Sequence, residues 1–143
     1  MTAAQPLLNA AVTAAQHAYA PYSRFAVGAA VQTSDGRIFA SANMENASYG
    51  LSLCAEVGAL QVASSAGALA HVVRIAVVGA PMGTPNTGQI VTPCGRCRQF
   101  ILESAQIGGR DIEICCADTG LTQIQTFKIS ELLPHGFGPA NLA

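Results

Sequence analysis

The sequence predicts an α/β layered domain built on a mixed sheet, with residues 1–143 forming one unit. Three observations carry that prediction. An apolar stretch at 25–33 is followed by Ser34-Asp35-Gly36-Arg37 and a second apolar run, the pattern of a β-hairpin. Beyond the hairpin, helix-length and strand-length segments alternate, which calls for helices layered on a sheet. No linker, repeat or low-complexity tract interrupts the chain, and 143 residues suit a single core.

From the N-terminus, 7–19 is Ala-rich with the apolar spacing of a helix, and Pro21 ends it. Residues 25–33 read as a strand, 34–37 as the hairpin turn and 38–42 as the partner strand. The run 53–64 reads as a helix with Cys54 and Glu56 in its first turn. An apolar strand follows at 72–78, then a Gly/Pro-rich connection over 79–92. Pro93 introduces a second such helix over 94–104. Segments 111–116 and 123–128 read as the last two of five strands, and Ser130 is placed to cap a short helix over 131–133.

Composition narrows the function. Half of the residues are hydrophobic and only 10% are charged, against roughly 25% charged in ordinary soluble domains. So few charges point to extra burial, and contacts between subunits are the simplest source. A net charge of −1 leaves no electrostatic footprint for a polyanion, so no nucleic-acid partner is expected. No apolar run reaches about eighteen residues, and the N-terminus lacks a basic start ahead of an apolar core. Neither a membrane partner nor export is expected, and the expected location is the cytoplasm.

The cysteines carry the chemistry. Five is an odd number, and a disulfide framework does not suit a reducing compartment. Cys94 and Cys97 alone could be a redox pair or half of a metal site. Adding Cys54, with Glu56 two positions on, favours zinc: three protein ligands leave a fourth position open for water. Cys54-Ala55-Glu56 and Pro93-Cys94-Gly95-Arg96-Cys97 together match the zinc deaminase signature in its all-cysteine form. Both ligand groups would open a helix, where unpaired N–H groups and the dipole favour a thiolate. Cys115 and Cys116 lie in the apolar run 112–117 and read as core thiols. Glu56 standing alone would be a first-turn glutamate complementing the dipole. Beside zinc it becomes the carboxylate that takes a proton from water and returns it to the substrate.

At this point the chain resembles the cytidine deaminase family, in its small homotetrameric branch with three-cysteine zinc sites. The resemblance runs through Pro21-Tyr22-Ser23-Arg24-Phe25-Ala26-Val27-Gly28-Ala29, then Asn43-Met44-Glu45-Asn46-Ala47-Ser48-Tyr49-Gly50, and both zinc segments. It ends in Leu132-Leu133-Pro134-His135-Gly136-Phe137-Gly138-Pro139. It implies a three-layer α/β/α domain and one Zn2+ per subunit on Cys54, Cys94 and Cys97. The reaction implied is hydrolytic deamination of cytidine and 2′-deoxycytidine in pyrimidine salvage, with zinc-bound hydroxide attacking carbon 4 and Glu56 shuttling protons. Phe25 is implied to pack on the pyrimidine, Asn43 and Glu45 to bind the ribose 3′-hydroxyl, and Ala55 to join the substrate contacts. Ala47, Tyr49 and Phe137 are implied to reach sites across subunit interfaces of a homotetramer. The residues alone say less: Asn43 and Glu45 share a face if the strand continues, and Phe25 and Phe137 would pass for core aromatics.

One position departs from the family. Arg commonly follows Cys-Ala-Glu and offsets the thiolate charge, whereas Val57-Gly58 stands here. Zinc with three thiolates carries −1 and Glu56 adds another charge, so Arg96 or Arg98 is expected to support the metal site by hydrogen-bonding a ligand sulfur. Val57 and Gly58 also keep open a deaminase of another aminopyrimidine nucleoside, of the blasticidin S kind. Polynucleotide editing is disfavoured by the missing basic groove. A non-enzymatic zinc module is disfavoured by the three-ligand set, because structural zinc usually takes four protein ligands.

Overall fold

The hairpin forms where the sequence places it. In the computed structural model, which describes residues 4–84 and 86–142, β1 (Phe25–Thr33) pairs antiparallel with β2 (Ile38–Ala42), Gly28 opposite Ala42 and Gln32 opposite Ile38. On its other side β1 pairs antiparallel with β3 (Val72–Pro81), from Phe25 opposite Pro81 to Thr33 opposite Val72. This long ladder carries β3 past the expected end at 78. β4 (Glu113–Ala117) runs parallel to β3, and β5 (Ile124–Lys128) antiparallel to β4. The sheet is mixed and five-stranded, in the order β2-β1-β3-β4-β5.

Alternation along the strands builds two cores. Ala30, Ala76, Val78, Cys115 and Ala117 face one way, against Leu7, Leu8, Ala11 and Ala15 of α1 (Gln5–Ala15). Ala29, Val31, Ile75, Val77, Ile114 and Cys116 face the other way. There they meet Ala59, Leu60 and Ala63 of α2 (Ala55–Ser65) and Ile101, Leu102 and Ala105 of α3 (Gly95–Gly108). Ile129 of the short α4 (Ile129–Leu132) joins the same side. The layers are therefore α/β/α. Both cysteines of the 115–116 pair are buried, on opposite faces, as core thiols.

Helix ends depart from the sequence pattern wherever tertiary bonds compete. α1 stops at Ala15, and Tyr19 instead forms a bridge beside Met44, its N–H on the Asn43 carbonyl at 3.0 Å and its carbonyl accepting from Glu45 N–H at 2.8 Å. α3 continues to Gly108, where Gly109 takes a left-handed φ of 66° and closes the helix. Ser130 does not cap α4: it lies inside the helix and donates to Asp111 at 2.6 Å. Glu131 instead accepts from the N–H of the preceding Lys128 at 2.8 Å.

Topology places the site. Because β1 is antiparallel to both neighbours, β2 and β3 run in the same direction. α2 follows β2 and α3 follows β3 in the chain, and both cover the same face. Their N-termini therefore open at one sheet edge, beside the start of β1. That edge, outside the carboxyl ends of strands, is where open α/β sheets place their ligands.

Candidate metal and active site

Cys54 is the residue capping α2 and Cys94 the residue capping α3, with Cys97 in the first turn of α3. A spacing of three along a helix puts Cys94 and Cys97 on one side, and Cys54 arrives from the neighbouring helix. The three sulfurs lie within 4.8 Å of one another, Cys54 to Cys94 at 3.8 Å and Cys94 to Cys97 at 3.6 Å. Tetrahedral zinc with Zn–S near 2.3 Å requires ligand sulfurs roughly 3.8 Å apart, so this donor set fits zinc. The thiol hydrogens already favour one thiolate. Donation from Cys97, helped by Cys94 and the charge of Arg96, draws Cys54 down to about 6 against the opposing effect of burial. Cys97 moves the other way, raised first by its bond to Cys54 and then by burial.

Glu56 lies in the first turn of α2, only 4% exposed. Burial pushes its carboxyl above the ordinary range, and the nearby Cys54 thiolate adds to the effect, while its own backbone N–H and the Cys97 thiol pull it back. A carboxyl balanced in this way can hold a proton and give it up beside the sulfur triangle. Beneath it, from β4, burial above all raises the Cys116 thiol to about 12, with the charges of Cys115 and Glu56 adding. Cys116 stays outside the sulfur group that could hold a metal, which among the described residues comprises Cys54, Cys94 and Cys97.

A cavity of about 230 Å³ opens over these groups, lined among others by Val27, Asn43, Glu45, Cys54, Ala55, Glu56, Val91, Thr92 and Cys94. β2 ends at Ala42, yet bridges from Met44 to Tyr19 and Leu53 keep the chain extended. Asn43 and Glu45 thus reach the same cavity, as their alternation requires. Each has a second task that the sequence did not reveal. The Asn43 side chain accepts from Val27 N–H at 2.9 Å and donates to the Phe25 carbonyl at 2.9 Å, copying one rung of a β-ladder. Glu45 Oε1 accepts from the N–H groups of Tyr22 at 3.0 Å and Ser23 at 3.1 Å. Hydrogen bonding by Ser23 first, then these N–H groups, holds its carboxyl below the usual range.

The other expected contacts stand further out. Phe25 packs its ring at Gly79, where the side chain of the cavity-lining Val91 also lies. Ala47 and Tyr49 lie on the exposed rim, where Tyr49 meets Tyr22 with ring centroids 5.3 Å apart. Phe137 is 61% exposed, on a surface shared with Gln99, Glu103 and Leu142 and outside the cavity of its own chain. Arg98 does not turn to sulfur. Its nitrogens donate to the Pro93 carbonyl at 2.7 Å, the Leu132 carbonyl at 2.9 Å and the Thr92 hydroxyl at 3.3 Å. Successive helix residues are turned by about 100°, so a helix that aims Cys97 at the metal aims its neighbour Arg98 away. Arg96 is exposed and reaches Cys54 through its charge. Val27, Leu53, Val91 and Thr92 line the cavity without any sequence signal, since apolar strand ends and loop residues look alike wherever they face.

Comparison with known proteins agrees with this geometry. Residues 1–108 match the family model for the cytidine and deoxycytidylate deaminase zinc-binding region. The cytidine deaminase of Halalkalibacterium halodurans is 44% identical over 139 residues, covering 93% of this chain and 92% of the relative. That of Mycobacterium tuberculosis is 40% identical over 128 residues, covering 90% and 84%. Among solved structures, cytidine deaminase from Burkholderia pseudomallei superposes with a TM-score of 0.82 at 40% identity, covering 96% of this chain and 100% of that one. The Mycobacterium tuberculosis structure gives 0.74 at 36% identity, covering 96% and 99%.

Proposed function

The chain belongs to the cytidine and deoxycytidylate deaminase family, and from that premise we propose that it hydrolyses cytidine and 2′-deoxycytidine to uridine, 2′-deoxyuridine and ammonia. One observation carries the proposal: three sulfurs at zinc-ligand spacing stand beside a buried carboxyl at the floor of a cavity that Asn43 and Glu45 also line. When bound by Cys54, Cys94 and Cys97, zinc supplies the Lewis acid that makes water a nucleophile near neutral pH. Glu56 takes the proton from the attacking water, places it on the pyrimidine ring nitrogen, and later helps the amine leave as ammonia. Ala55, buried at the start of α2, contributes the wall against which the exocyclic amine rests.

Sugar recognition falls to Asn43 and Glu45. Asn43 spends one Nδ2 hydrogen on Phe25 and one acceptor site on Val27, which leaves a second hydrogen for a ribose hydroxyl. Glu45 stays ionised at neutral pH and can accept from the same hydroxyl. A hydrogen-bonding pair of this kind discriminates against ligands lacking the matching hydroxyl. Phe25 packs on the pyrimidine, and an ordinary ribose is favoured over the blasticidin S type of substrate.

The assembly is a homotetramer with shared sites. The cavity within one chain, about 230 Å³, falls short of the roughly 300–1,000 Å³ typical of small-molecule sites. Tyr49 at 73%, Leu51 at 65% and Phe137 at 61% exposure leave large apolar side chains open at the surface, which supports walls supplied by neighbouring copies through Ala47, Tyr49 and Phe137. No described helix is long and apolar enough to cross a membrane, in keeping with a cytoplasmic salvage enzyme.

The test follows ultraviolet absorbance of the zinc-loaded protein with cytidine, deoxycytidine, free cytosine and blasticidin S. Turnover of both nucleosides that vanishes in Glu56→Gln, with zinc content unchanged, is expected. Turnover of blasticidin S alone, or of none of the four, overturns the assignment.

A further inference from the structure

The bonds made by Arg98 do more than fill its hydrogen-bonding capacity. Its backbone N–H donates to the Cys94 carbonyl at 2.9 Å, while its Nε donates to the Pro93 carbonyl at 2.7 Å. The peptide groups on both sides of the Cys94 α-carbon are thus held by one residue. Nη2 adds the Thr92 hydroxyl, in the same loop and on the cavity wall. Nη1 takes the carbonyl of Leu132, the last residue of α4, at 2.9 Å. From there the C-terminal segment lies along α3: Gly136 rests against Leu102, the Phe137 carbonyl accepts from Gln99 at 2.7 Å, and Ala140 N–H donates to Gln106 at 2.9 Å.

We infer that Arg98 is a positioning residue for the metal site: its guanidinium locks the loop bearing Cys94 to the C-terminal segment, fixing the direction of the Cys94 sulfur. The inference rests on the zinc reading above but adds a residue whose bonds avoid the metal altogether. Cys94 is exposed and precedes the first turn of its helix, so its backbone direction depends on the bonds made to it from within the chain. A planar fork is the chemistry that suits three divergent oxygen acceptors, and a lysine ammonium cannot span them. Outer partners of metal ligands typically cost 10–100-fold in metal affinity when lost. The same range is expected here, although the contact runs through the backbone.

The test uses the full chain and two readouts independent of turnover: competition for zinc with a chromogenic chelator, and the visible ligand-field bands of the cobalt(II)-loaded protein. Arg98→Ala is expected to hold zinc at least about tenfold more weakly and to shift the cobalt bands. Arg98→Lys should recover less than half of that loss on a logarithmic scale. Gln106→Ala, which frees only the far end of the C-terminal segment, should match wild type in both readouts. Should Arg98→Ala fail to fold, Thr92→Val takes its place with a smaller shift in the same direction. Wild-type affinity and cobalt bands in Arg98→Ala, or full recovery by lysine, overturn the inference. Cytidine turnover by the wild-type protein is measured alongside. Its absence would defeat the deaminase reading and leave the Arg98 comparison intact, because both readouts concern metal alone.

Discussion

Replacing Asn43 separates its two tasks. Val27 N–H can only donate and the Phe25 carbonyl can only accept, so the amide has one possible orientation, Oδ1 towards Val27 and Nδ2 towards Phe25. Alanine removes both bonds. At about 0.5–1.5 kcal/mol net for each, Asn43→Ala should lower stability by about 1–3 kcal/mol. Aspartate keeps an acceptor for Val27 but faces the Phe25 carbonyl with an anion. It loses about 1 kcal/mol from the missing bond and a similar amount from an unsatisfied carbonyl, partly offset by a stronger bond to Val27. Urea unfolding at fixed zinc concentration gives these differences as shifts of midpoint at constant slope. Steady-state kinetics report the other task. Loss of a hydrogen bond of that size to the ribose should raise KM for cytidine roughly 3–10-fold, with kcat less affected. If Asn43→Asp unfolds at the wild-type midpoint, the rung between β1 and Asn43 is not holding the chain, and the assigned role of this wall fails.

Two further outcomes follow from packing and charge. An alanine Cβ at Gly58 would lie 2.3 Å from Ser41 Oγ and 3.0 Å from Ser41 Cβ, so Gly58→Ala should cost about 1–3 kcal/mol. Most of that should return in the Ser41→Gly background, read by thermal unfolding. In the hairpin turn, the Thr33 hydroxyl first and Arg37 second hold Asp35 at about 2, below its ordinary 3.8. Its contribution is therefore present above the ordinary value and lost as pH falls through about 2. Asp35→Asn should lower the unfolding temperature at pH 7, and the gap from wild type should close towards pH 2.

What the sequence made legible was set by local chemistry. The hairpin needs only Asp35-Gly36 between apolar runs, and both strands form at the residues expected. The three cysteines were legible because helix periodicity and ligand number converge on a single metal ion. Helix ends were not: Tyr19 carries helix-compatible spacing but is claimed by Asn43 and Glu45 from another part of the chain. The Asn43 rung was hidden for the same reason, as its partners are 16 and 18 positions away. Arg98 misled because nearness in sequence to Cys97 is the wrong measure on a helix. Its neighbours in space are Pro93 behind it and Leu132 from the far end of the chain.

The unusual Val57 follows from the same geometry. Its side chain is 9% exposed and belongs to the buried face of α2, so a charged residue there would need a partner of its own. Arg98 is spent on oxygens, and the exposed Arg96 acts on Cys54 through its charge. Beside that charge stand the two helix N-termini that carry Cys54 and Cys94. Each carries the equivalent of about half a positive charge. Two of them offset about one unit, which is the net charge of zinc with three thiolates. On this balance the cluster needs no arginine at position 57, and the remaining negative charge is that of Glu56. Burial and the Cys54 thiolate already press that carboxyl towards its protonated form, so the residue left uncompensated is the one whose work is to carry a proton.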